Sequence, residues 1–187
     1  MPRHETCINQ NAMEFKDIIA KRRSTRRFEE QAVGRDTAEA IMRTALTAPS
    51  SRNTRSTRLL AVDNRETIGR MAGMRDYGAA FMAGAPLVIL VAGDTTATDL
   101  WRENAAIAAT FLQLAAVDHG LASCWVHVDG RQRLKDDPSA GTAEEYLRTF
   151  MDIPENQRIL CAIAIGRAAA EPKPLPEHDD SASMSWL

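Results

Sequence analysis

The run APLVILVAGD, residues 85–94, is apolar along almost its whole length and punctuated by Pro86 and Gly93. It is far shorter than the roughly 20 apolar residues a membrane-crossing helix needs, so it reads as a strand buried on both faces. A second run, RILCAIAIG (158–166), has the same character. A sheet built on such strands must be covered on both sides, which points to a layered helix–sheet–helix domain. RLLAVD (58–63) and ASCWVHV (122–128) supply two more predicted strands, four in all.

The intervening stretches carry helical spacing. Phe15, Ile18 and Ile19 predict a helix over 13–21. GRDTAEAIMRTALTAPSS predicts a second, with Asp36 and Glu39 as a capping box and Pro49 beyond its end. Asn64 is the expected N-cap of NRETIGRMAGM. The longest helix is predicted from Thr98 to His119, closed by Gly120, with Leu100, Ile107, Phe111, Leu114 and Ala115 as the stripe that crosses the core. Its alanines suit close packing against a second copy, and the sequence leaves Glu103 and Asn104 as either caps or interface residues. Trp101 and Trp125 read as packing residues. TAEEYLRTFM opens on a Thr142/Glu145 box.

The 187 residues suffice for one domain, and no apolar run is long enough to span a membrane. MPRHETCINQNA, residues 1–12, lacks the apolar core of a signal peptide and reads as a flexible tail. Cys7, Cys124 and Cys161 are odd in number and far apart, which argues against a disulfide framework and fits a reducing cytoplasm. Cys124 and His127 lie three apart in a strand and should face opposite ways, so no metal site is expected. Glycine-rich phosphate loops and a nucleophile elbow are also missing. Difficult chemistry would therefore need an organic cofactor.

Against a formal net charge of −2, KRRSTRRF (21–28) crowds five cations around Ser24 and Thr25. Alone it fits either a solvated helix end or a grip on one small anion, since arginine forks and hydroxyls suit a phosphate monoester. APSSRNTRSTRLLAV (48–62) again mixes arginines with Ser50, Ser51, Asn53 and Ser56. Such a set reads either as a solvated turn or as a reader of a heterocycle edge, Asn53 offering donor and acceptor and Arg55 only donors.

Together these segments resemble the FMN-dependent nitroreductase family. MEFKDIIAKRRSTRRF is similar to its N-terminal signature and APSSRNTRSTRLLAV to its second conserved segment. GAAFMAGAPLVILVAGD, WRENAAIAATFLQLAAVDHGLASCWV and IPENQRILCAIAIG follow in family order, over residues 13–167. The resemblance implies an α+β domain over 13–167, with a mixed, largely antiparallel sheet of four strands between helical layers. Residues 168–187 become an extension over the partner subunit, with room for a strand from the partner's tail. It implies a homodimer with FMN at the subunit interface and NAD(P)H as transient donor.

Carried over position by position, Arg22, Arg23, Ser24 and Arg26 would hold the FMN phosphate and ribityl chain, and Asn53 the flavin ring. Gly166 marks the strand end after which a further basic contact comes, with Lys173 preferred over Arg167. Arg55-Ser56-Thr57 stands where the family has Gln-Pro-Trp. Arg55 near the ring's carbonyl edge would favour the anionic reduced flavin, and loss of the Trp would reshape the substrate side. The chain's shortness implies no helical lid. The expected activity is two-electron transfer from NAD(P)H to a small acceptor such as a nitro compound or quinone, in ping-pong fashion. No protein catalytic residue is assigned, since protons can come from solvent. Rival readings are a flavin-binding or sensing protein without turnover, and a module binding RNA or an acidic partner. The −2 charge and the missing aromatic platform argue against the latter.

Overall fold

The computed structural model describes residues 13–172, 174 and 176–186. Lys173, the 1–12 tail with His4 and Cys7, and Leu187 therefore lie outside the described residues. Five helices and four strands alternate: α1 (Phe15–Lys21), α2 (Arg35–Ala45), β1 (Thr57–Val62), α3 (Arg65–Ala72), β2 (Leu87–Asp94), α4 (Trp101–Asp118), β3 (Ala122–His127), α5 (Ala143–Arg148) and β4 (Gln157–Gly166).

The strand order is β1-β2-β4-β3, with the two continuously apolar strands at the centre. All three pairings are antiparallel, so the sheet is not mixed. The one parallel element among the described residues is an isolated bridge between Ser24 and Ser123. Central strands expose side chains to both faces, and both faces are covered. Ile89, Val91, Cys161, Ile163 and Ile165 pack under Ile41 of α2 and Ala105, Ala109, Leu112 and Ala116 of α4. Val88, Leu90, Ala162 and Ala164 pack under Ile68 and Met71 of α3 and Leu147 of α5.

Several local signals form as the sequence dictates. Asn64 Oδ1 accepts from Thr67 N at 2.9 Å, and the Thr142/Glu145 capping box is complete. Trp101 is buried, lying so close over Gly93 that a Cβ there would sit 2.7 Å from its ring. Cys124 and Cys161 are buried free thiols, and burial raises the pKa of both.

Two expectations change. The Asp36/Glu39 box does not form: Gly34 is the N-cap of α2 without a side-chain bond. Glu39 instead pairs with Arg35 at 3.2 Å and Arg43 at 2.6 Å, four residues to either side. The core face of α4, which begins at Trp101 rather than Thr98, keeps Ala115 and the flanking Phe111 of the expected stripe but is otherwise a different one. Alanines 105, 109 and 116 with Leu112 meet the sheet, because small side chains let the helix lie close. Leu100 and Ile107 point outward at 42% and 38% exposure, with Phe111 and Leu114 half-buried. Helix α1, whose Phe15 and Ile19 are exposed, buries no residue.

Candidate functional site

Past α1 the chain becomes extended at Arg22 (φ −60°, ψ 123°). Thr25 N donates to Ser123 O at 3.0 Å, Glu29 N to Arg167 O at 2.9 Å, and Ala169 N to Arg27 O at 3.0 Å. Residues 22–29 are thus stitched between the start of β3 and the residues following β4. Side chains of an extended segment alternate. Arg22, Ser24 and Arg26 share one side: burial raises the Cys124 pKa, while the Arg26 and Arg22 charges and a hydrogen bond with Ser24 oppose it. The Arg26 guanidinium also lies 5.9 Å from the Phe81 ring centroid. Arg23 falls on the other side, its Nη1 donating to Ala20 O at 2.5 Å and Arg22 O at 2.7 Å, which caps the end of α1.

Gly166, opposite Ala122 across the β3–β4 pair, belongs to the same corner. A Cβ there would come within 2.7 Å of Pro86 and 3.1 Å of Phe28, so only glycine lets these rings close over the strand end. Arg167, exposed, follows it directly.

Many of the other arginines are paired with acids. Arg35, Arg43, Arg58, Arg102, Arg148 and Arg158 each reach a carboxylate within 3.5 Å. Among the described residues neither Arg22 nor Arg26 makes an ion pair. Two guanidiniums and a hydroxyl on one side of a pinned segment, with no ion-paired acid, have the chemistry that suits an anion.

The second stretch folds into a tight loop between α2 and β1. Arg52 (φ 50°), Asn53 (φ 52°) and Arg55 (φ 48°) all have left-handed backbones. At Arg52 and Arg55 this costs about 1–2 kcal/mol each, less at Asn53, and such strain persists only where the surroundings hold it. The holder is Asn104 of α4, 2% exposed. Its Oδ1 accepts from Ser51 N at 2.8 Å, and its Nδ2 donates to Ser56 Oγ at 2.9 Å and Thr54 Oγ1 at 3.3 Å. Arg55 N donates to Ser50 Oγ at 2.9 Å. Asn53 and Arg55 are exposed, and Arg55 lines a cavity of about 530 Å³ with Met42, Leu46, Pro49, Arg58 and Leu59.

One chain does not bring the two stretches together. β1 and β3 are opposite edges of the sheet, and Thr57, next to the loop, pairs with Gly93 at one end while Ala122 pairs with Gly166 at the other. The stretches occupy diagonally opposite corners, about 14 Å across the strands and about 24 Å along them. They also mark the two ends of α4, whose 18 residues run about 27 Å.

At the far end of β3, His127 stacks on Trp125 with ring centroids 6.2 Å apart, while Cys124 turns into the opposite face. Burial and the Arg131 charge lower the His127 pKa, against the pull of Asp129. Asp129 is engaged by Arg102 at 2.6 Å. Among the described residues no cluster of metal-ligating side chains forms, and no helix is long and apolar enough to cross a membrane. Sequence reasoning left Asn104 undecided. Its only signal was an amide in the first turn of an otherwise alanine-rich helix.

The nitroreductase family model matches residues 19–75 and 70–167. Among solved structures, an FMN-dependent nitroreductase from Clostridium difficile is 34% identical, superposes with a TM-score of 0.79, and shares 88% of this chain and 92% of its own. A nitroreductase with bound FMN from Desulfitobacterium hafniense shares the fold, with a TM-score of 0.72 at 23% identity over 94% of this chain and 99% of its own. A protein of Methanothermobacter thermautotrophicus, provisionally named an NADH dehydrogenase/NAD(P)H nitroreductase, is 28% identical over 86% of this chain and 80% of its own length. The chain belongs to the nitroreductase family, and with it to the oxidoreductases.

Proposed function

We propose that this chain is an FMN-dependent NAD(P)H oxidoreductase that works as a homodimer, each flavin lying between two copies. The observation that carries the reading is the separation of two complementary half-sites in one chain. Arg22, Ser24 and Arg26 form the phosphate half at the C-terminal end of α4, and Asn53 and Arg55 the ring half at its N-terminal end. A two-fold pair with α4 lying antiparallel to its copy would bring the ring half of one chain to the phosphate half of the other. The outward Leu100 and Ile107 stripe and the exposed Phe15 and Ile19 offer the apolar surface for that pairing.

Bound FMN would accept two electrons from NAD(P)H and pass them to a small organic acceptor, such as a nitro compound or quinone, in a ping-pong cycle. The chain's own contribution is position and charge. Arg22 and Arg26 neutralise the phosphate, and Ser24 adds a short bond to it. Asn53 matches a ring edge bearing both donors and acceptors, and Arg55 stabilises negative charge on that edge. No side chain is assigned as proton donor; solvent reaches the exposed loop.

The test is the visible spectrum of protein reconstituted with FMN, before and after anaerobic NADH or NADPH. Flavin bands that bleach within seconds support the reading. Flavin that binds but resists both donors favours a binding or sensing role, and no flavin binding overturns the assignment.

A further inference from the structure

Among the described residues, Asn104 is the one side chain that touches the strained loop at three points, binding Ser51, Thr54 and Ser56. Those contacts bracket the left-handed residues Arg52, Asn53 and Arg55. Its own position is fixed by burial in the first turns of α4, between the outward residues Leu100 and Ile107. Ser56, its strongest side-chain partner, is fully buried, and the Ser56 carbonyl accepts from Asp94 N at 2.8 Å, which ties the loop's exit to the end of β2. Without the Asn104 amide, two hydroxyls and one backbone N–H lose their partner. The loop can then relax to right-handed backbone, which carries the Asn53 and Arg55 side chains away from their present directions.

We infer that Asn104 is a positioning residue of the flavin site: it sets the directions in which Asn53 and Arg55 are presented to the ring, and through Arg55 the redox potential of the bound cofactor. This rests on the flavin reading above. Its effect falls on the ring half of the site and leaves the phosphate half alone, because the loop lies at the corner of the sheet away from Arg22, Ser24 and Arg26.

The experiment measures dissociation constants of apoprotein for FMN and for riboflavin, which lacks the phosphate, and the two-electron potential of bound FMN. It compares wild type with Asn104→Leu, of similar size but without polar atoms. Both flavins should weaken by the same factor, at least tenfold. The potential should become more negative by at least about 30 mV, the equivalent of a further tenfold loss of the reduced form over the oxidised. If Asn104→Leu does not fold, Thr54→Val combined with Ser56→Ala removes two of the three anchors and should shift both readouts in the same direction. A folded variant with unchanged riboflavin affinity and potential overturns the inference while leaving the flavin reading intact, as does weakening confined to FMN. Wild-type protein that binds neither flavin overturns both.

Discussion

Replacing Arg22 and Ser24 together with alanine probes the phosphate half of the site. Ser24 bonds Cys124 of β3 through its side chain, but the backbone bonds of residues 25, 27 and 29 that pin the segment remain. The loss should therefore appear in ligand binding with little change in melting temperature. A charge-assisted hydrogen bond contributes about 1.5–3 kcal/mol. Ser24 is exposed and Arg22 half-buried, so solvent competes, and the lower end applies to each. Two such bonds amount to about 3 kcal/mol, or roughly a hundredfold in dissociation constant. The assay is fluorescence quenching on titration of apoprotein with FMN and with riboflavin at fixed ionic strength. FMN affinity should fall about a hundredfold, while riboflavin, without a phosphate, stays within about threefold. Equal losses for the two flavins, or no loss for either, would refute the assignment of the basic cluster to the phosphate.

Ile107→Asp on the outward stripe of α4 places two charges at the proposed two-fold contact. It removes about 1 kcal/mol of apolar burial per copy and adds a buried charge, so the dimer should dissociate on sizing with light scattering and lose FMN with it. Gly93→Ala pushes a methyl to 2.7 Å from the Trp101 ring. This overpacking costs about 1–3 kcal/mol and should lower Tm by about 2–4 °C for each kcal/mol. His127, whose pKa burial and Arg131 lower, is neutral at pH 7. The unfolded chain takes its proton first, so stability falls as pH drops below about 6.5 toward the folded value. Urea midpoints for His127→Gln should show a weaker decline over that range, and identical slopes would contradict the shift.

The fold was legible because its strongest signals are local. Residues 85–94 and 158–166 can only be central strands, and Asn64 and Thr142 cap helices through bonds that span three residues. Predictions failed where a residue had two local partners to choose from. Glu39 sits four residues from both Arg35 and Arg43 and takes them in preference to the helix N-terminus. The stripe of α4 misled for a different reason. Large apolar residues mark a face to be buried without saying by what, and here alanines meet the sheet while Ile107 is left outside.

The candidate site was legible as residue types and not as geometry. Sequence order places Arg22–Arg26 and Asn53–Arg55 about thirty residues apart, with no sign that they fold to opposite corners of the sheet. Arg23 looked equivalent to its neighbours until the extended backbone turned it toward Ala20. Asn104 was unreadable because its partners lie about fifty residues earlier. Long-range polar contacts of this kind leave no periodic trace in a sequence.

The central claim is that each flavin site takes its phosphate half from one chain and its ring half from another. The most direct measurement mixes two inactive variants, Arg22→Ala/Ser24→Ala and Asn53→Ala/Arg55→Ala, by unfolding and refolding them together in equal amounts with FMN. In a mixed dimer one site combines both lesions and the other neither. With random pairing, roughly one site in four should regain tight FMN binding. No recovery above the two variants alone, in a sample shown to contain mixed dimers, would place both halves in a single chain and contradict the account.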